Sequence, residues 1–199
     1  RIFDNIDAQL LPALCSSLER GERADFCVGY FNLRGWRQLD HCIEAWSGEE
    51  NHRCRLLIGM HQAPSEELRD ALSVLISEDS LLDNQAVVRH RKRLAVEFRE
   101  QLARGVPTDE DEAGLRRLAR QIRAGKVQVK LFLRYPLHAK LYVVFRDDPD
   151  NPATGYIGSS NLTFAGLKSQ GELNVDVVEH DACQKLAAWF EERWNDRWC

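Results

Sequence analysis

The residues best suited to chemistry in this chain lie in two short segments, YPLHAKLYVVF at 135–145 and YIGSSNLT at 156–163. In an extended strand, alternate side chains share a face, so His138 and Lys140 are expected to stand side by side. An imidazole can attack phosphorus or transfer protons, and an ammonium group stabilises negative charge on phosphate oxygens. The Gly-Ser-Ser-Asn turn at 158–161 adds a hydroxyl and an amide as donors. This set suits attack on a phosphodiester, for which no metal ion is required.

A third segment, ELNVDVV at 172–178, can bring a carboxylate to the same place. Its alternation sets Glu172, Asn174 and Asp176 on one face of a strand and apolar residues on the other. If the polar faces of these strands converge, a histidine, a lysine and a carboxylate meet beside the Gly-Ser-Ser-Asn turn. A carboxylate bonded to the second ring nitrogen of a histidine fixes the tautomer and supports the cation that forms on attack.

Apolar periodicity predicts the elements that position these segments. Ile6, Leu10, Leu14 and Leu18 recur at helical spacing, and Gly21 is well placed as the stop. Further helices are predicted at 35–46, 66–76, 86–105, 109–125 and from Asp181 onward, and strands at 24–31, 54–59, 126–133, 137–145, 155–158 and 172–178. This order predicts an α/β fold, a mixed β-sheet flanked by helices, with a helical insertion at about 64–125.

The composition is typical of a globular protein, with 44% hydrophobic and 29% charged residues in a chain of 199. We expect a single domain over 1–199, ending abruptly enough to be a piece of a longer protein. No run reaches the roughly 18 apolar residues of a membrane span, so no membrane partner is expected. The six cysteines form no CxxC pair, which favours a reduced, cytoplasmic protein. No cofactor or metal site is expected, because the remaining histidines lack zinc-type spacing with each other or with cysteines: His41, His52, His61, His90 and His180.

At the segments described first, the sequence resembles the phospholipase D superfamily. HAK at 138–140, GSSN at 158–161 and Glu172, eleven residues after Asn161, are similar to its HxK and GSxN signature. The similarity in strand and helix order extends over about 1–63 and 126–198. It is greatest to the nuclease branch, which occurs in metal-independent restriction endonucleases and at the front of some helicase-containing proteins. The resemblance implies a phospholipase D-like fold and a DNA endonuclease.

The resemblance also implies a role for each matching residue. His138 would be the nucleophile that forms a phosphohistidine intermediate, and Glu172 would orient it. The phosphate would be bound by three residues: Lys140, Ser159 and Asn161. Members of the family use two HxK histidines per site, one to attack and one to protonate the leaving oxygen, whereas this chain has one such motif. A homodimer with one site across its two-fold axis is therefore implied.

The motif departs from the family pattern at one position. The family has an aspartate five residues after the lysine, where this chain has Phe145, and an extra loop follows at 146–155. A second hypothesis therefore stays open, a degenerate module that keeps the fold and binds DNA or dimerises without catalysis. Hydrolysis of lipids is a third, for which the sequence offers no membrane-binding segment. The resemblance to helicase-linked nucleases implies a helicase or ATPase region elsewhere in the polypeptide. This chain has no GxxxxGK[ST] loop, so no nucleotide site is expected in it.

Two basic runs on predicted helices are candidates for DNA contacts, RHRKR at 89–93 and LRRLARQIR at 115–123. Such runs neutralise phosphates, but they are equally typical of the solvated face of an amphipathic helix. In the second run Leu115, Leu118 and Ile122 are expected to be buried. The predicted DNA-binding residues are Arg89, Arg91, Lys92, Arg93, Arg116 and Arg120.

Overall fold

The computed structural model describes residues 1–59, 92, 96, 108–197 and 199. In these ranges the order of elements is β1 (Ile2–Phe3), α1 (Leu10–Glu19), β2 (Arg23–Val28), α2 (Leu33–Trp36), α3 (Asp40–Ile43), β3 (Cys54–Gly59), α4 (Asp109–Arg123), β4 (Val127–Phe132), β5 (Leu141–Phe145), β6 (Ala153–Gly158), a π-helical turn (Ala165–Ser169), β7 (Asn174–Val177) and α5 (His180–Trp194). The helices predicted at 66–76 and 86–105 lie outside the described residues, apart from Lys92 and Val96, which are helical and exposed. None of the described helices is long and apolar enough to cross a membrane.

The seven strands form one mixed sheet in the order β1-β7-β6-β5-β2-β3-β4. β2, β3 and β4 run parallel to one another, and β5 pairs antiparallel with β2 and with β6. The parallel strands come from near-continuous apolar runs such as CRLLIG, as expected for strands covered on both faces. The predicted class, a mixed sheet flanked by helices, is confirmed.

Alternate residues of β5 belong to two separate cores. Tyr142 and Val144 pack into the core beneath α1, α2 and α3. Leu141 and Val143 pack on the other face, where α5 supplies Phe190 and other apolar residues. Since each face of the sheet carries its own helices, the functional groups can only lie at an end of the strands.

Two strands are shorter at their beginnings than predicted. β5 begins at Leu141 rather than at 137, and β7 begins at Asn174 rather than at 172. The segment before β5 leaves the sheet because Leu137 crosses the end of β3, where a Cβ on Gly59 would lie 2.1 Å from the Leu137 carbonyl oxygen. His138, Lys140 and Glu172 therefore lie in extended segments just before their strands.

Two helix predictions are also corrected. The helix predicted at 35–46 is divided into α2 and α3, because Leu39 is drawn fully into the core and its backbone leaves the helix at φ −119°. Ile6 is not part of α1 and is 78% exposed. The Asp4 carboxylate accepts hydrogen bonds from the backbone of residues 6, 7 and 8, so the chain turns before α1 begins.

A buried ion-pair network closes the end of the sheet at which β2 and β3 begin. Asp25 is fully buried and accepts hydrogen bonds of 2.7 and 2.8 Å from Arg55 and one of 3.1 Å from Arg23. Arg55 also donates to Glu191 of α5 at 2.7 Å. Paired charges thus fix this end of the sheet.

Candidate active site

The histidine and lysine of the HAK segment lie at the opposite end of the sheet, directly before β5. The His138 side chain is exposed, and Lys140 is partly buried. Lys140 Nζ donates a hydrogen bond of 2.5 Å to the His138 carbonyl oxygen. Burial lowers the pKa of Lys140, although the negative charge of Glu172 opposes this shift. The contact shown between these two residues is thus one between the ammonium group and the histidine backbone, and the side-by-side placement of imidazole and ammonium stays a prediction.

Asn161 approaches the same cation from the loop after β6. Its Oδ1 accepts a hydrogen bond of 2.8 Å from Tyr30 N, which fixes the orientation of the amide and directs its NH2 group away from that backbone. Gly29, at the end of β2, lies against both groups, since a Cβ added there would be 3.3 Å from Asn161 Oδ1 and 3.6 Å from Lys140 Nζ. The structure thus brings Lys140 and Asn161 together over a glycine that sequence reasoning missed. The sequence prediction places this glycine inside the strand at 24–31, and the structure ends that strand one residue before it, at Val28.

Ser159 and Glu172 are joined to each other. Ser159 Oγ donates to Glu172 Oε2 and accepts a hydrogen bond of 3.0 Å from Leu173 N. The serine amide also donates to the Leu173 carbonyl oxygen at 3.1 Å. The resemblance predicts that Ser159 binds the phosphate and that Glu172 orients His138. In the structure the serine hydroxyl is hydrogen-bonded to the Glu172 carboxylate and holds it beside the turn. The Glu172 carboxylate remains close enough to Lys140 to act on its pKa.

The second serine of GSSN is a buried anchor that sequence reasoning did not single out. Ser160 is fully buried, and its Oγ accepts a hydrogen bond of 2.8 Å from Asn174 Nδ2, while Ser160 N donates to Asn174 Oδ1 at 3.2 Å. Tyr142 adds a bond of 2.8 Å from its hydroxyl to the Ser160 carbonyl oxygen. This polar cluster fixes the turn relative to β5 and β7, so that Ser159 and Asn161 are presented on either side of it. A polar residue at a strand position, Asn174, was the available signal.

Phe145 lies at the far end of β5 from Lys140. Its ring packs against Arg23, whose guanidinium carbon is 4.0 Å from the ring centroid. Five residues of strand separate it from Lys140 by about 16 Å. The position at which the family pattern has an aspartate is therefore too distant to contact the groups around Lys140.

The predicted DNA-binding residues are only partly described. Arg89, Arg91 and Arg93 lie outside the described residues, and Lys92 is exposed. Arg116 is paired with Glu112 on α4, and Arg120 is exposed. In the part of the chain that the structure describes, neither arginine is hydrogen-bonded or ion-paired to the residues around Lys140.

The apolar face of α4 is narrower than predicted. Leu118 is buried, whereas Leu115 and Ile122 are 47% and 45% exposed. The helix packs through Gly114, Leu118 and Gln121, of which Gly114 lies against the side chain of Arg37. Because Gly114 has no side chain, α4 packs closely against Arg37 through a narrow contact face. Leu115 and Ile122 flank this face and stay at the surface.

Comparisons with known proteins agree with the fold described above. A family described as "Cardiolipin synthase, PLD-like domain" matches residues 14–194. In fold the chain is similar to NucT from Helicobacter pylori, with a TM-score of 0.54 and 10% identity over 98% of this chain and 94% of that chain. It is also similar to Nuc from Salmonella typhimurium, a phospholipase D family member, with a TM-score of 0.51 and 12% identity over 98% and 93% of the two chains. No curated protein matches the sequence. The chain therefore belongs to the phospholipase D superfamily of phosphodiester-cleaving hydrolases.

Proposed function

We propose that this chain is a metal-independent DNA endonuclease domain that acts through a covalent phosphohistidine at His138. One observation carries the proposal: the exposed His138 lies beside a lysine whose ammonium group converges with Asn161 over Gly29. A phosphate seated there would receive positive charge from Lys140 and hydrogen bonds from the amide NH2 group of Asn161. Since His138 and Ser159 are exposed, a long polymer can reach the site.

The proposed reaction has two steps. A ring nitrogen of His138 attacks phosphorus, and the bond from phosphorus to the leaving oxygen breaks as that oxygen takes a proton from a second histidine. Water then attacks the phosphohistidine, and the second histidine accepts the proton from that water, which restores both imidazoles. In both steps the negative charge on the non-bridging oxygens grows, and Lys140 and Asn161 are placed to stabilise it. Glu172, held by Ser159, supports the positive charge that His138 acquires.

A second copy of the chain is the proposed source of the second histidine. The segments that flank the site expose large apolar side chains, with Ile6 at 78%, Leu173 at 63% and Phe164 at 40% exposure. Leu173 follows Glu172 directly, and Phe164 lies three residues after Asn161. A two-fold axis through this region would bury these side chains and bring two His138 rings together.

The alternative of a non-catalytic module loses its main sequence support, because Phe145 lies far from the site. The resemblance to helicase-linked nucleases extends the proposal to a motor region in the same polypeptide. The exposed Arg120 and Arg123 of α4 are candidates for contacts to DNA phosphates beyond the site.

The test is cleavage of supercoiled, linear and single-stranded DNA in excess EDTA. We expect cleavage and a covalent protein–DNA adduct, and His138→Ala should remove the adduct and lower the rate by roughly 10³-fold or more. His180→Ala, at an exposed histidine of α5, is the matched control and should cleave normally. Equal cleavage by the His138→Ala protein, or no cleavage of any of these DNAs by the intact chain, would contradict the proposal.

Mixing subunits tests the shared site. If each site needs two His138 rings, an equal, fully exchanged mixture of wild-type and His138→Ala subunits should keep about a quarter of the wild-type activity. Independent sites in each chain would instead keep about half. The second result, or a monomer that is fully active, would contradict the dimeric site.

A further inference from the structure

A second cluster of reactive side chains lies on the helices rather than at the sheet end. The Sγ atoms of Cys15 and Cys42 and a ring nitrogen of His41 lie within 4.8 Å of one another. Cys42 Sγ is 3.4 Å from His41 Nε2, and Cys15 Sγ donates a hydrogen bond of 3.7 Å to the Gln38 carbonyl oxygen. Cys15 comes from α1 and the other two residues from α3. Spacing along the sequence does not reveal this cluster, because Cys15 is brought to His41 and Cys42 by helix packing.

One separation within the cluster is close to that of a zinc centre, and the others lie within 4.8 Å. Zinc bound at about 2.3 Å from sulfur and about 2.0 Å from nitrogen, in tetrahedral geometry, holds its ligand atoms roughly 3.5–3.8 Å apart. The observed contact between Cys42 and His41 is 3.4 Å, and the limit for all three atoms is 4.8 Å. Binding would require the side chains to rotate until one ion lies about 2.3 Å from each sulfur and about 2.0 Å from the nitrogen.

α1 also carries a candidate for the fourth ligand. Glu19 follows Cys15 by four residues on α1, so the two side chains lie on the same face of that helix. Its exposed carboxylate, or a water molecule, can complete four-coordination. Cys42 is buried and His41 is exposed, so the cluster lies at the surface with one side sealed by protein.

We propose that Cys15, His41 and Cys42 bind one Zn²⁺ ion, with Glu19 or water as the fourth ligand. Two thiolates and an imidazole form a donor set that selects a borderline-soft cation such as zinc over magnesium or calcium. The ion would join α1 to α3 across their contact. α1 is in turn fixed to the sheet, because the hydroxyls of Ser17 and Tyr156 are hydrogen-bonded at 2.7 Å. The ion stabilises the fold and takes no part in chemistry at His138.

The experiment starts from the whole chain kept in a thiol-free reductant and freed of metal with a chelator. Titration with Co²⁺ should give one tetrahedral site per chain with a thiolate-to-metal charge-transfer band, and Zn²⁺ should displace the cobalt. Zinc at a hundredfold excess over its Kd should raise Tm by about 5–10 °C. Cys15→Ser and His41→Ala should each remove the charge-transfer band or shift it and abolish most of the rise in Tm.

The matched controls are Cys199→Ser and His180→Ala, a thiol and an imidazole outside the cluster, which should bind as wild type does. Since Cys42 is buried and its replacement can disturb folding, the wild-type cobalt spectrum is the decisive measurement. Absence of a thiolate band, binding unchanged by Cys15→Ser, or a Cys15–Cys42 disulfide forming under reductant in place of metal binding would overturn the proposal. The result is independent of nuclease activity, because EDTA should lower Tm while leaving cleavage by folded protein intact.

Discussion

The two ends of the sheet handle charge in opposite ways. Where β2 and β3 begin, Asp25, Arg55 and Glu191 are paired with one another, and hydrogen bonds to both carboxylates raise the pKa of Arg55 against the effect of burial. Where β5 begins, Lys140 directs its hydrogen bond to a neutral carbonyl oxygen, and burial lowers its pKa. The paired charges of Asp25, Arg55 and Glu191 stabilise the structure. Lys140 is partly desolvated and its described hydrogen bond goes to a neutral group, which favours the binding of an anion.

The largest effect is expected at the paired end. Asp25→Ala removes the carboxylate between two arginines and leaves their charges partly buried, so it should lower the free energy of unfolding by about 3–5 kcal/mol. Chemical denaturation measures the loss. Asp181→Ala, at an exposed pair with Lys185, should cost no more than about 0.5 kcal/mol. Similar losses in the two variants would show that the buried network is not what holds this end.

At the other end, Lys140→Ala should affect rate rather than stability. Loss of the ammonium group should lower kcat by roughly 10²–10³-fold, as for other donors that stabilise a developing negative charge. Because its burial is only partial and its partner is a carbonyl, Tm should stay close to that of wild type. Lys185→Ala is the control for removing a lysine charge. A large fall in Tm with Lys140→Ala would mean that this lysine, too, is structural.

The two ends should also differ in their response to pH. The hydrogen bond from Arg55 lowers the pKa of Glu191 from its usual 4.5, so its contribution to stability is present above pH 4.5 and is lost as pH falls through the lowered pKa. Burial lowers the pKa of Lys140 below the usual 10.5, and the lysine is charged only below this lowered pKa. Activity should therefore fall as pH rises through the lowered pKa. Acid unfolding and the alkaline limb of kcat/KM measure the two. Glu191→Gln should flatten only the pH dependence of acid unfolding. Lys140→Arg should move only the alkaline limb of kcat/KM to higher pH.

The smallest effect is expected at Phe145. Phe145→Leu removes the contact with Arg23 and should cost about 0.5–1 kcal/mol of stability, with kcat unchanged. Chemical denaturation and cleavage rates, measured on the same preparation, separate the effect on stability from the effect on kcat. A substantial loss of kcat would contradict the placement of this position outside the site.

The sequence predicts most of the framework, because its strands are apolar runs whose burial depends little on detail. It also identifies the HAK and GSSN segments, and the structure brings Lys140 and Asn161 together. What it could not predict depends on partners distant in the chain. The start of β5 is set by the crossing of Leu137 over Gly59. Whether a serine of the turn is exposed or buried depends on its hydrogen bonds to the β7 segment, through Leu173 for Ser159 and Asn174 for Ser160.

The cysteine and histidine cluster shows the same limit more clearly. Spacing along the chain separates Cys15 from His41 by 26 residues, and no local pattern marks the pair. The contact exists because α1 and α3 pack on one face of the sheet, a consequence of several strand pairings together. Local sequence rules identify ligands that share a turn, and they miss ligands that share only a helix interface.

Gly29 contributes the space that its missing side chain leaves between Lys140 and Asn161. Its backbone has no left-handed φ, so other amino acids could adopt its conformation, and the requirement for glycine is one of space alone. A single methyl group there would narrow the gap between the lysine and the asparagine without altering any charge or donor. We therefore expect Gly29→Ala to hinder a phosphate from reaching the proposed site by volume alone, with the fold and every charged group left in place.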